Sequence, residues 1–222
     1  NTSGAGVMAH DPLQHVTPNL IMNSTLMEES YRAGVDRFFF VSSATTYPPA
    51  DYPIKESEVF DGEPYKTYFG VGWMKRYTEI LAQFYQRSNM MNIAIVRPAN
   101  IYGVQGDFTD ESGHVLPALI RRALEKQTPY EVWGNPDVVR DFTHSVDMAR
   151  ACLDVVEHYA VCDPINIASG NLVTIGESVD LILKCASHNV TPEYDESKPV
   201  TIQYRALDTS KAKEVIGYEP TI

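Results

Sequence analysis

Apolar residues follow two alternating rhythms along this chain. Phe38 to Val41 is an unbroken apolar run that passes directly into Ser42, Ser43, Thr45, Thr46 and Tyr47. A short apolar run ended by a polar change predicts a strand buried on both faces of a parallel sheet. Ile93 to Val96, ended by Arg97-Pro98, predicts a second such strand, and Pro164 to Ala168 a third. Between them the period lengthens. Thr17-Pro18 opens a helix, with Thr17 as N-cap and Pro18 in the first turn, that runs to about Ala33 and stops at Gly34. Trp73, Tyr77, Ile80, Leu81, Phe84 and Tyr85 share one face of a helix expected over Thr67 to Gln86, and this face is read as core. Further helices are predicted over Val115–Lys126, Val146–Val161, Ile175–Ala186 and Thr209–Ile216. Short strands are predicted over Tyr130–Trp133 and Val200–Tyr204, with Arg140–His144 extended. Asn1–Thr17, the proline- and acid-rich Pro48–Pro64 and the acidic Asp107–Gly113 read as loops.

Strands alternating with helices define an α/β protein with a parallel sheet. The smaller late elements predict a second lobe. The expected division is 1–103 for the sheet domain and 104–222 for a mixed α/β lobe, with the strand near 164–168 returning to the main sheet. Ligands of open α/β sheets bind beyond the carboxyl ends of the strands, where the hydroxyl cluster of Ser42, Ser43 and Thr45 falls.

Composition narrows the partners. The chain has 222 residues, 44% hydrophobic and 21% charged, with a formal net charge of −11. That charge argues against nucleic acid or an anionic membrane as partner, and no apolar run is long enough to span a bilayer. Cys152, Cys162 and Cys185 have no metal-ligand spacing, so no metal is expected. An odd, sparse set of thiols suits a reducing compartment, and a cytoplasmic location is expected.

Four groups are expected to converge at the strand ends: Ser42/Ser43/Thr45, Lys75, Asn100 with Tyr102, and Asn23. A lysine beside a hydroxyl lowers its pKa and readies it for proton transfer. A lysine on an apolar helix also snorkels to water, and the residues alone leave both readings open.

Taken in order, PNLIMNSTLMEESYRAGVDRFFFVSSATTYP, GWMKRYTEILAQFY, IVRPANIYG, GHVLPALIRR, VWGNPDVVRDFTHSVDMARA, INIASG and ALDTSKAKEVIGYEP resemble the extended short-chain dehydrogenase/reductases. These are NAD(P)-dependent nucleotide-sugar epimerases, dehydratases and reductases. The resemblance covers nearly the whole chain and implies a Rossmann-like sheet with a substrate lobe, NAD or NADP as cofactor, and a nucleotide-sugar substrate. It implies that Ser43 hydrogen-bonds the reacting sugar oxygen and that Lys75 holds the nicotinamide ribose. Asn23, Ser42 and Pro98 fall on the cofactor side. Asn100 falls where the family contacts substrate phosphate, and Arg140 and Arg205 on the nucleotide diphosphate, which suits the planar fork of arginine. For Arg140 the residues also allow an ion pair with Asp137 or Asp141. GHVLPALIRRALE most resembles the GDP-fucose synthase branch, which makes His114 a general acid and places Thr45 where that branch has a catalytic cysteine. His114 as a plain helix cap is the other reading.

Two departures bear on function. The family's tyrosine stands four residues before the lysine, where this chain has Val71. Valine moves no proton, and Tyr68 is the nearest replacement. The Gly-rich phosphate loop and its acidic ribose reader do not occur in the sequence. The chain is therefore expected to be a fragment whose N-terminal sheet strands are missing, with an apolar edge open. Two functions follow: a nucleotide-sugar epimerase, dehydratase or reductase working by hydride transfer, or a non-catalytic binding or assembly protein on the same fold. The resemblance also implies a homodimer through the helices at 18–33 and 67–86.

Overall fold

The computed structural model describes residues 12–108, 114–198 and 202–222. Its main sheet has three parallel strands in the order β1-β2-β6: β1 (Arg37–Val41), β2 (Asn92–Pro98) and β6 (Ile165–Ile167). β1 and β2 pair from Arg37 with Asn92 to Val41 with Val96, and β2 pairs β6 from Val96 with Ile165. The sheet is covered on both faces, as parallel sheets require. Ile93 and Ile95 of β2 pack with Met27 of α1 (Thr17–Arg32) and Ala82 of α2 (Phe69–Arg87). Ala94 and Val96, pointing the other way, pack with Met148, Ala151 and Val155 of α4 (Ser145–His158) and Ala212 of α6 (Ser210–Ile216). This alternation is the pleat of the strand expressed as two half-cores.

The second unit is built on β5 (Val139–His144). It pairs in parallel with β3 (Asn100–Tyr102) and β9 (Tyr204–Arg205), and antiparallel with β7 (Leu172–Thr174). β4 (Tyr130–Trp133) pairs β8 (Pro192–Asp195). Leu119 and Ala123 of α3 (Val115–Leu124) meet Ile175, Val179 and Leu183 of α5 (Ile175–Cys185) over Tyr130 and Val132.

Several expectations need correction. β1 is not buried on both faces: Phe40 is buried, Phe38 and Phe39 are half-buried, and Val41 is exposed. Among the described residues β1 has a strand partner on one side only. β2 does not stop at Val96 but continues through Arg97 and Pro98, because Arg97 has buried partners to carry it into the core. Thr17 is the first helical residue rather than the cap; Val16 takes the cap position without a side-chain bond. Gly34 does end α1, in the left-handed region at φ +74°. The last strand is Tyr204–Arg205, shorter than expected, and residues 199–201 lie outside the described residues. So do 1–11 and 109–113, which hold most of the first and the acidic loops.

Candidate active site

The hydroxyl cluster forms a tight turn at the carboxyl end of β1. Ser42 stays in the sheet, its N–H donating to the Val96 carbonyl at 2.8 Å. Ser43 is extended and caps a 3-10 turn over Ala44–Thr46. Its Oγ accepts the Thr45 N–H at 3.1 Å and its carbonyl accepts the Thr46 hydroxyl at 2.7 Å. The Ser43 hydroxyl hydrogen is spent on no described partner. Thr45 Oγ1 is buried and has no hydrogen-bond partner among the described residues.

α2 lies directly on this turn because residue 72 is glycine. A Cβ there would sit 2.6 Å from both the Thr45 carbonyl oxygen and Pro64 Cβ, which no side chain tolerates. Arg76, one turn on, donates to the Thr46 carbonyl at 2.8 Å and the Gly62 carbonyl at 2.8 Å. Lys75 therefore reaches β1. Its Nζ donates to the Val41 carbonyl at 2.6 Å and stands 4.8 Å from the centre of the Phe40 ring. Burial pulls the Lys75 ammonium down to about 8, against the charge of Glu79, which raises it. Asn23 of α1 donates its amide toward Met74 Sδ on α2 at 3.8 Å, not to Lys75.

The two arginines come from neighbouring strands, and each is 6% exposed. Arg205 donates to the Ala44 carbonyl, inside the Ser43–Thr45 turn. Its guanidinium carbon is 5.2 Å from the centre of the Tyr68 ring, and its Nη2 has no partner among the described residues. Burial lowers its pKa; the groups that oppose this are the phenols of Tyr68 and Tyr47. Arg140 donates to the carbonyls of Val139 at 2.6 Å, Ile202 at 2.6 Å and Gln203 at 3.3 Å. Burial pulls it down to about 10, with Tyr68 opposing and Arg205 assisting. Asp141 does not serve it in these bonds, being held instead by the Ser169 and Gly170 amides and the Ser169 hydroxyl.

The structure thus gathers Ser43, Thr45, Tyr68, Arg140 and Arg205 about one turn, with Lys75 on its β1 side. Other candidates are placed elsewhere. Ser42 gives its hydroxyl to Glu79 in the core. Pro98 is the buried end of β2, paired with Ile167, and Asn100 is half-buried in β3 opposite Phe142. Tyr102 packs on the His144 ring at 5.3 Å. His114 is exposed at the N-cap of α3 and makes no capping bond with its side chain. Val71 is half-buried one turn before Lys75. Tyr68 precedes Lys75 by seven residues, a rise of about 10 Å, and faces the arginines.

Buried polar residues outside the predicted set support this turn from beneath. Glu79, Arg97, Tyr47 and Asn166 form a linked group under it. The signal was available: an arginine in an apolar strand and a glutamate on an apolar helix face must pair to be buried.

Residues 2–168 match the family described as NAD dependent epimerase/dehydratase. The chain belongs to that family. Among curated members, the GDP-L-fucose synthase of Sinorhizobium fredii is 32% identical over 97% of this chain and 70% of its own length. The probable GDP-L-fucose synthase 1 of Oryza sativa is 30% identical over 95% of this chain and 66% of its own length. The chain therefore spans about two thirds of such relatives. Among solved members, the UDP-glucose 4-epimerase of Thermotoga maritima with UDP-glucose superposes with a TM-score of 0.82 at 26% identity, over 97% of this chain and 67% of that one. A GDP-6-OMe-4-keto-L-xylo-heptose reductase from C. jejuni shares the fold, with a TM-score of 0.91 at 21% identity over 100% of this chain and 76% of that one.

Proposed function

We propose that this protein is an NAD(P)-dependent nucleotide-sugar epimerase or reductase that works at a sugar carbon. The observation that carries the reading is Arg205: a buried cation whose Nη2 has no partner among the described residues, with the phenols of Tyr68 and Tyr47 near it and a second buried arginine beside it. A nucleoside diphosphate supplies the counter-charge such a cation calls for. The curated relatives named above are synthases of a GDP-linked sugar, and the epimerase structure holds a UDP-linked one, so GDP and UDP sugars are the substrates to test.

The residues fit one end of a nicotinamide dinucleotide. Lys75 gives Val41 a single hydrogen bond, and an ammonium has three donors, so it keeps donors for ribose hydroxyls. No described residue is assigned to the pyrophosphate. The bound nicotinamide supplies hydride exchange with the sugar carbon. Ser43 directs its free hydroxyl hydrogen at the sugar oxygen, Thr45 lines the same turn, and Asn100 approaches from the substrate side. Lys75, which burial pulls down to about 8, would hold the nicotinamide ribose. Tyr68 takes the donor role that Val71 cannot fill, and His114 serves as general acid where the sugar is epimerised. The free thiols of Cys152, Cys162 and Cys185 fit a cytoplasmic protein, and no described helix is long and apolar enough to cross a membrane.

Val71 favours a second reading, a non-catalytic binder of the same ligands. Turnover of GDP- and UDP-linked sugars with either dinucleotide, in the wild type and in Val71→Tyr and Tyr68→Phe, separates them. Wild-type turnover abolished by Tyr68→Phe supports the enzyme. Turnover that appears only in Val71→Tyr supports the binder.

A further inference from the structure

Glu79 and Arg97 are each 2% exposed, yet both carry charge. Arg97 donates from Nε to Glu79 Oε1 at 3.0 Å and from Nη2 to Oε2 at 2.6 Å. Ser42 donates its hydroxyl to the same Oε1. Arg97 Nη1 continues to the Tyr47 hydroxyl at 2.8 Å and the Glu56 carbonyl at 2.9 Å. Tyr47 donates to Asn166 Oδ1 at 2.6 Å, and Asn166 Nδ2 donates to the carbonyls of Ile54 at 3.0 Å and Asp208 at 3.1 Å. One hydrogen-bonded line thus joins α2 to the carboxyl ends of β1, β2 and β6 and to two loops.

Stability alone does not account for such a line, since a buried ion pair is seldom better than apolar side chains of the same size. Its placement points to the site. Ser42 immediately precedes the Ser43–Thr45 turn, and Glu79 is one helical turn beyond Lys75. We propose that the Glu79–Arg97 pair is a positioning device: through Ser42 it fixes the Ser42–Thr45 turn against α2, and from one helical turn away Glu79 favours the charged form of Lys75. Neither residue touches substrate in this scheme. The inference rests on the reading of Ser43 and Lys75 as site residues.

The surroundings make Glu79 the group that can do this. Lys75 meets the Phe40 ring and the Val41 carbonyl from β1 and the charge of Glu79 from its own helix. Glu79 meets Ser42 from the turn and Arg97 from β2. Its charge also bears on Tyr47, on Arg76 of its own helix and on Cys162, whose thiol is pushed up to about 12 by burial and then by Glu79.

Two measurements test this. The first follows the titration of Lys75 by NMR after reductive methylation with 13C-formaldehyde, the signal assigned with Lys75→Arg. Loss of Glu79's charge is expected to lower the Lys75 midpoint by about one pH unit. Glu79→Gln strands Arg97 in the core, so Glu79→Gln/Arg97→Met is measured beside it and carries the test where the single variant does not fold. A folded variant with the wild-type midpoint overturns the proposal. The second is amide exchange in Ser42→Ala, which keeps the ion pair and cuts its link to the turn. Exchange at Thr45 and Thr46 is expected to quicken about tenfold or more; unchanged exchange overturns the tether. Both run without dinucleotide or sugar, so a protein that shows no turnover sinks the proposed function and leaves this inference standing.

Discussion

Arg205 and Tyr68 lie 137 positions apart in the sequence, and the guanidinium carbon of one rests 5.2 Å from the ring centre of the other. The stack holds the arginine head by cation–π attraction, and the Ala44 carbonyl takes one nitrogen. Arg205 Nη2 has no partner among the described residues. A buried cation without a counter-charge among those residues costs stability that a bound anion would recover.

Arg205→Met keeps the apolar stem and deletes the charge. The ligand-free protein is expected to become more stable by about 1 kcal/mol in urea unfolding, because a desolvated cation is removed from the core. A loss of more than about 2 kcal/mol would show that the arginine serves the fold and not a ligand.

Lys75 gives a pH dependence of known sign. Its amine titrates at about 8 in the folded protein against an ordinary value of 10.5. Between those values the unfolded chain holds more protons, so stability rises with pH across the window. Below 8 both states are charged and the burial cost is present in full. Lys75→Met should therefore exceed the wild type in relative stability most below pH 8, and the gap should narrow toward 10.5. The slope will be shallow, as the side chain is half-buried and partly screened. A gap that does not change with pH contradicts a shifted Lys75.

Gly72→Ala places a Cβ against the Thr45 carbonyl and Pro64. Backbone atoms on one side and a ring on the other give little room to yield. A loss of about 2 kcal/mol is expected from overpacking, read from the denaturation midpoint. A neutral result would mean that α2 can lift from the turn without cost.

Phe69, Trp73, Tyr77, Ile80 and Phe84 form an exposed stripe along α2, beside Ile21, Met22 and Leu26 of α1. A second copy of the chain meeting these helices would bury it. Sedimentation is expected to show a dimer that Ile80→Glu with Phe84→Glu converts to monomer. An unaffected oligomer, or a monomeric wild type, rules the surface out.

The layering of this protein was legible because its strands and helices differ so plainly in period. Phe38–Val41 and Ile93–Val96 could be little but strands, and α2 announced itself with six large residues on one face, though Trp73, Tyr77, Ile80 and Phe84 prove exposed rather than core, since the helical period cannot say what covers a face. That β1 has a single strand partner among the described residues was not legible in Phe38–Val41 itself, since an apolar run looks the same at the edge and the centre of a sheet. β3, β7 and β8 escaped notice because Asn100–Tyr102, Leu172–Thr174 and Pro192–Asp195 are too short to show a period. In the site, Ser43, Tyr68, Arg140 and Arg205 could be named through the family resemblance, but how they lie relative to one another could not, as it depends on β5 and β9 pairing. Ser42 and Ser43 illustrate the limit. Adjacent and identical in type, one is committed to Glu79 and the other faces the turn, because the strand's pleat sends them opposite ways.

The central claim is that the Arg205–Ser43 turn holds a nucleoside diphosphate. Calorimetric titration of the wild type and Arg205→Met with GDP and with UDP tests it most directly. The account predicts saturable binding of at least one of them by the wild type, weakened about tenfold or more in Arg205→Met, the size of a lost charge-assisted bond. Binding of equal strength in both proteins, or none in the wild type, contradicts it.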